Sequence, residues 1–324
     1  MRPAKPRIGK IVPGTFAHVI RQFMASAAYA GKAQATRDSW ARALRIAEEE
    51  AGLGGCSVQV IRPAIIQGFL DAMADTPGKQ TVARTALKAV EKFAVVRDLV
   101  PMPFMTGTST VGSDGGFEPW PESMVDLALE KAAPMMARAV LLAVNTGQRG
   151  SDTVRMRPND IEERLDRTTG MRRRGIVVTQ QKTGKKLWVP FIDPAFEATI
   201  AGWEKLPGPF LRQDDGKPFY RNLLSNHWNR ERDGNDALAP LREAKLVLHG
   251  LRATAVVRAR KRGLSDLQIA NLYGMSPPMV ARYSRLADQG DMAMAAVHFL
   301  DRTSPENATG TVTRNSSNVT KISN

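Results

Sequence analysis

The chain is 324 residues long, 43% hydrophobic and 24% charged, with a formal net charge of +14. That length favours two domains with separate cores, that apolar content excludes a chain disordered throughout, and that charge favours a polyanionic partner. The charge is spread: residues 1–100 hold 15 Lys and Arg against 8 Asp and Glu (+7), and the rest hold 31 against 24 (also +7). Two equally basic domains suit a clamp on a duplex, although a merely soluble basic protein has the same charge.

Cys56 is the only cysteine, so no internal disulfide can form, which fits a reducing compartment. The four histidines, His18, His227, His249 and His298, show no metal-ligand spacing, and no bound metal is expected. The basic opening MRPAKPRIGK lacks a following apolar core and does not read as a signal peptide. No apolar run approaches the roughly 20 residues that span a bilayer, so no membrane partner is expected.

Residues 1–13 read as a basic arm. From 14 to 100 the pattern is helical, with apolar residues at helical spacing in TFAHVIRQFMASAAYA and RDSWARALRIAEEEAG, the second stopping at Gly52. Two more helices fit IRPAIIQGFLDAMAD and TVARTALKAVEKFAVVRDL, which makes a compact four-helix domain. Residues 101–119, rich in Pro, Gly, Ser and Thr, read as a linker.

The second domain starts near Trp120 and runs to 301. Helices are expected at 121–132 and 134–145. The β-prone Ile176–Thr179 and Leu187–Val189, with Lys-Thr-Gly-Lys between them, predict a hairpin. Asp193 caps a helix that Pro194 opens and that runs to about Leu206. Further helices are expected near 219–230, from about His249 to Arg262 with a stop at Gly263, over 266–273 behind a Ser265/Gln268 capping box, and from Pro277–Pro278 through Tyr283. The tail 302–324 is polar and expected to be disordered. The whole is mainly α with a small β-hairpin, an α+β chain.

Four sites in this second domain carry chemistry. Arg149 follows the helix-ending Gly147, with Asp152 three residues on, placed to orient its guanidinium. Lys182 lies at the hairpin tip, where a lysine can reach into a groove and protonate an oxygen leaving group. His249 and Arg252 share one face of a helix N-terminus, which favours a bound phosphate. Tyr283 stands between Arg282 and Arg285; its hydroxyl needs neighbouring cations and a base to act as a nucleophile. Tyr273, in a more apolar setting, reads as core. The first three have ordinary alternatives: a helix-end arginine, a solvated turn lysine, an N-terminal histidine beside a surface arginine.

In order and context these residues resemble the tyrosine recombinase, or phage integrase, family over nearly all of the ordered chain. Thr146-Gly147-Gln148-Arg149 with Asp152 matches the family's Thr-Gly-x-Arg plus acidic residue. Lys182 within Gln181-Lys182-Thr183-Gly184 matches its hairpin lysine, His249 and Arg252 its His-x-x-Arg box, and Tyr283 its nucleophile. The resemblance implies an N-terminal four-helix, SAM-like core-binding domain and a C-terminal catalytic domain. One position departs: where the family carries a second histidine or a tryptophan, this chain has Met275, about one residue closer to Tyr283 than expected. Methionine has no donor for a phosphate oxygen. Losing a charge-assisted bond costs about 1.5–3 kcal/mol, or about ten- to a hundredfold in rate, so the resemblance implies slowed cleavage, with the other five family positions kept.

The resemblance further implies that Tyr283 attacks a DNA phosphodiester to give a 3′-phosphotyrosyl link, that Arg149 and Arg252 clamp the phosphate, that Lys182 is the general acid and that His249 is the base or orients the tyrosine. No cofactor is needed. Expected partners are double-stranded DNA attachment sites, a homo-tetramer in the synaptic complex, a directionality factor and a host DNA-bending protein. The segment Met292 to Leu300 is a candidate for packing on a neighbouring protomer. DNA-gripping candidates are Lys32, Arg37, Arg84, Lys88, Arg172, Arg173, Arg174 and Arg258, mostly as phosphate contacts. The first expectation is a bacterial, cytoplasmic integrase of a prophage, genomic island or conjugative element, associated with the nucleoid when bound. Alternatives are a recombinase that resolves chromosome dimers, a cleavage-impaired DNA-binding protein of the same fold, a type IB topoisomerase and a helical binding module without catalysis.

Overall fold

The computed structural model describes residues 12–112, 117–203, 205, 207–285, 293, 294 and 297. Most of the basic arm, the tail 302–324 and most of Met292–Leu300 lie outside these residues. The chain divides into two compact units, Met1–Asp114 and Gly115–Asn324. No helix among the described residues is long and apolar enough to cross a membrane.

The first unit contains α1 (Phe16–Met24), α2 (Ala27–Ala30), α3 (Gln34–Arg45), α4 (Pro63–Asp71) and α5 (Pro77–Val95). Phe16, Val19, Ile20 and Phe23 bury one face of α1, the i, i+3, i+4, i+7 stripe of a core-facing helix. The sequence pattern predicted one helix through Ala30. Ser26 instead breaks it, donating to the Phe23 carbonyl at 2.6 Å and accepting from the Tyr29 N–H to cap α2. A short π-helical turn (Ile46–Glu50) extends α3, and the chain turns at Gly52 with φ +70°.

The expected linker is partly core. Phe104, Met105 and Thr108 are buried with the helices of the first unit. One carboxylate oxygen of Glu91 accepts the N–H groups of both Phe104 and Met105. The Arg84 guanidinium forks onto the Thr108 carbonyl at 3.1 and 2.7 Å, and Gln80, fully buried on α5, accepts from the Val111 N–H at 2.8 Å. A Pro/Gly/Thr-rich segment therefore packs like an element because α5 satisfies its backbone.

The second unit opens on α6 (Glu122–Lys131) and α7 (Pro134–Thr146), then a short α8 (Gly150–Thr153). An antiparallel sheet follows in the order β1 (Ile161–Leu165), β2 (Arg172–Thr179), β3 (Lys186–Pro190), with Ile176 opposite both Ile161 and Val189. The predicted hairpin is β2–β3. Strand β1 was not expected: its sequence IEERL is nearly all exposed, so an edge strand showed no alternation to read. The remaining helices are α9 (Pro194–Ala201), α10 (Arg221–Gly234), α11 (Ala239–Glu243), α12 (Gly250–Lys261), α13 (Asp266–Tyr273) and α14 (Pro277–Ser284). Helix α9 ends well before Leu206 and α11 was not predicted. Asp193 caps α9 by accepting from the Ala195 N–H, and the Ser265/Gln268 capping box is present.

Helix α12 is the hub. Leu251, Ala253, Thr254, Ala255 and Val256 are all buried, so it is covered on nearly every side. The Trp120 N–H donates to Thr254 Oγ1 at 2.7 Å and its indole N–H to the Val247 carbonyl at 3.0 Å. A Cβ on Gly250 would collide with the Glu118 carbonyl and the Trp120 ring, so the segment leading into α6 needs a glycine beneath it.

Candidate active site

Helix α7 ends on Gly147 at φ +61°, and a Cβ there would lie 2.5 Å from the Tyr273 ring. Only glycine meets both conditions. Two residues on, Arg149 is the N-cap of α8. Its Nη1 is buried and has no hydrogen-bond partner among the described residues. A buried guanidinium nitrogen left open is a ready donor for an anion.

Arg252, on the first turn of α12, is 3% exposed. Among the described residues its side chain donates one hydrogen bond, from Nη1 to the Gly147 carbonyl. Burial, then the nearby Arg149 charge, pulls its pKa down to about 10, opposed by Tyr283 and Asp152. His249, the N-cap residue of α12, is pulled down to about 4 by burial, then by Arg252, Arg221 and Arg149. It is therefore neutral at physiological pH, an acceptor rather than an acid. The Phe117 ring meets it edge-on, with centroids 4.7 Å apart.

Tyr283, on α14, is 4% exposed and shares an apolar cluster with Met275, Tyr273, Val280 and Val256. Its influence on Arg252 places it in the same electrostatic group as the two arginines. Met275 is thus packing in the same apolar cluster as Tyr283, with its backbone N–H on the Ala270 carbonyl. Tyr273 is core: burial raises its pKa to about 12.

Lys182 is exposed at the β2–β3 tip and makes no hydrogen bond or ion pair among the described residues. Its turn is nonetheless tied to the arginine loop, because Asp152 Oδ1 accepts from the Gln181 N–H at 2.9 Å. Asp152 therefore holds the hairpin, where the sequence suggested that it orients Arg149.

Sequence reasoning missed Arg221. Its stem lies against Gly150, whose added Cβ would sit 3.8 Å from Arg221 Cγ, and its charge acts on His249. No motif marks it; only the start of α10 beside α8 brings it there.

The DNA-gripping candidates divide. Lys32 and Lys88 are exposed, Lys32 lying 5.8 Å over the Trp40 ring. Arg172 and Arg173 are exposed on β2, Arg172 only 3.8 Å from Glu163. Arg174 pairs with Glu197 at 3.6 Å, and Arg37 bonds Gln34. Arg84 is spent on Thr108. Arg258 grips Glu122, donating from Nε at 2.8 Å and also from Nη2, and lowers that carboxyl's pKa.

The fold is that of the tyrosine recombinases. A lambda integrase tetramer bound to a Holliday junction superimposes with a TM-score of 0.68 at 18% identity, covering 86% of this chain and 78% of that one. The Tn1549 transposon integrase in complex with circular intermediate DNA gives 0.65 at 13% identity, covering 87% and 99%. The XerH site-specific recombinase bound to palindromic difH substrate gives 0.60 at 16%, covering 81% and 80%. No family model matches the sequence, and no curated protein sequence matches it.

Proposed function

We propose that this chain is a site-specific DNA recombinase that cleaves and rejoins strands through a 3′-phosphotyrosyl intermediate. The observation that carries the reading is the convergence of Arg149, Arg252, neutral His249 and Tyr283, with Arg149 Nη1 buried and unpartnered among the described residues. The arginines hold the non-bridging oxygens as charge builds on them. The Tyr283 hydroxyl attacks phosphorus, and His249 accepts its proton. The bond to the 5′ oxygen breaks, and Lys182 supplies the proton that makes it a hydroxyl. Attack by a partner strand's 5′-hydroxyl reverses these steps, and the bond energy stays in the phosphotyrosine.

The partners are duplex attachment sites and three further copies of this chain, as in the tetramer of the lambda integrase likeness. The role is integration and excision of a prophage, genomic island or conjugative element, assisted by a directionality factor and a DNA-bending protein. The second reading, a cleavage-impaired binder of the same fold, draws on Met275 alone.

The test is to trap the adduct on nicked duplexes tiled from DNA beside its own gene. An SDS-resistant adduct that vanishes in Tyr283→Phe supports the recombinase. Tight binding without any adduct, restored by Met275→His, supports the impaired binder.

A further inference from the structure

Two glutamines that the catalytic reading does not use sit where three site segments cross. Gln148 is 2% exposed and Gln180 0%. Gln180 Nε2 donates to Gln148 Oε1 at 2.9 Å and to the Tyr273 carbonyl at 3.0 Å. Gln148 Nε2 donates to the Thr146 carbonyl at 3.0 Å and, more weakly, to the same Tyr273 carbonyl at 3.4 Å. Gln180 Oε1 accepts from the Thr183 hydroxyl at 2.9 Å. Flipping the Gln180 amide would set its oxygen against two acceptors, so the network has one orientation.

The three segments joined here carry the chemistry. Gln148 precedes Arg149. Gln180 and Thr183 bracket Lys182. Tyr273 closes α13 and leads through Gly274 and Met275 into α14, which bears Tyr283. Gly274 has φ +62°, and a Cβ there would come within 2.7 Å of Gln180 Nε2, so the backbone is brought close enough to receive this bond. Apolar side chains would fill the same space, but they would leave the Tyr273 carbonyl without these donors and would not fix the turn in one register.

We infer that Gln180, braced by Gln148 and Thr183, is a positioning residue for Lys182: it locks the hairpin turn against the segment leading to the nucleophile, so that the lysine meets the leaving 5′ oxygen. This rests on the recombinase reading and on Lys182 as its acid.

The test compares two duplexes carrying the cleavage site found by adduct trapping, one with the natural 5′ bridging oxygen and one with sulfur, which leaves without protonation. The full chain is assayed as wild type, Lys182→Ala, Gln180→Leu and Thr183→Val, the last removing only an exposed-turn hydroxyl in case Gln180→Leu folds poorly. On oxygen, Lys182→Ala slows cleavage by about a hundredfold or more, the scale of a lost general acid. Gln180→Leu slows it about tenfold and Thr183→Val a few-fold, as misplacement of that acid requires. On sulfur, all three return to near the wild-type rate.

A Gln180→Leu protein equally slow on both duplexes, or a Thr183→Val protein slowed equally on both, overturns the inference while rescue of Lys182→Ala leaves the recombinase reading standing. Wild-type rates on oxygen for both variants also overturn it. Failure of sulfur to rescue Lys182→Ala overturns the assignment of Lys182, and the inference with it.

Discussion

Residues 1–100 and the rest of the chain each carry a net charge of +7, and the first unit and the candidate site in the second use their cations differently. In the first, cations are consumed by the fold: Arg84 holds the Thr108 carbonyl, and Arg21 meets Glu48 at 2.8 Å. At the candidate site, Arg252 is buried and Arg149 is half-buried with its Nη1 enclosed, and burial, then the charges of Arg252, Arg221 and Arg149, lower the His249 pKa. Bringing like charges together costs stability; Asp152 offsets part of that cost at Arg252, and a bound anion would offset more. Net charge alone does not separate the two regions; the grouping of Arg149, Arg221 and Arg252 around His249 does.

Truncation separates the two regions most sharply. Arg149→Ala is expected to lower the rate of adduct formation about 10²–10³-fold, as for loss of a transition-state donor, with little change in melting temperature. Arg84→Ala should do the reverse, lowering the denaturation midpoint while adduct formation per folded molecule holds. Equal effects of the two on chemistry would break the contrast.

Glycine at the arginine loop comes next. Gly147→Ala is expected to destabilise by about 2–4 kcal/mol, combining the left-handed backbone penalty with a clash against Tyr273; urea unfolding measures it. Glu91→Ala, which strips two backbone N–H groups of their acceptor, should cost about 1.5–3 kcal/mol in the first unit, read by the same method.

The smallest expected effect is a shift in pH dependence. His249 has a folded pKa below its unfolded one, so the unfolded chain binds the extra proton between about pH 6.5 and 4. Its contribution is therefore intact above 6.5 and lost as pH falls toward 4. Arg221→Gln removes one of the charges that depress it, and the His249 ring signal in the DNA-free protein should then titrate at higher pH by NMR. An unchanged midpoint would remove Arg221 from the site.

Much of this was legible beforehand because helices announce themselves locally. The stripe of α1, the Asp193–Pro194 start of α9 and the Ser265/Gln268 box each depend on residues within one or two turns. The turn position of Lys182 and the apolar setting of Tyr273 were readable in the same way. What escaped depends on partners distant in sequence. The charged strand β1 is a strand only because β2 pairs with it. Residues 104–111 are ordered by α5 side chains and by Gln67 of α4, whose amide oxygen accepts from the Ser109 N–H at 2.9 Å, and composition does not reveal this. Asp152 turned out to hold the Gln181 N–H, and Arg221 and the two glutamines acquire meaning only where separate segments meet.

The close seat of Glu118 and Trp120 against Gly250 sets where the second unit begins as a piece of protein. A fragment starting at Pro121 would strip the cover from the first turn of α12, expose Gly250, and leave Thr254 and the Val247 carbonyl without their Trp120 donors. It would also lose the Phe117 ring from the face of His249. A fragment retaining Phe117 keeps the histidine's surroundings whole. Domain dissection at the point where the helices start would thus damage the candidate site while Arg149, Lys182, His249, Arg252 and Tyr283 were all still present.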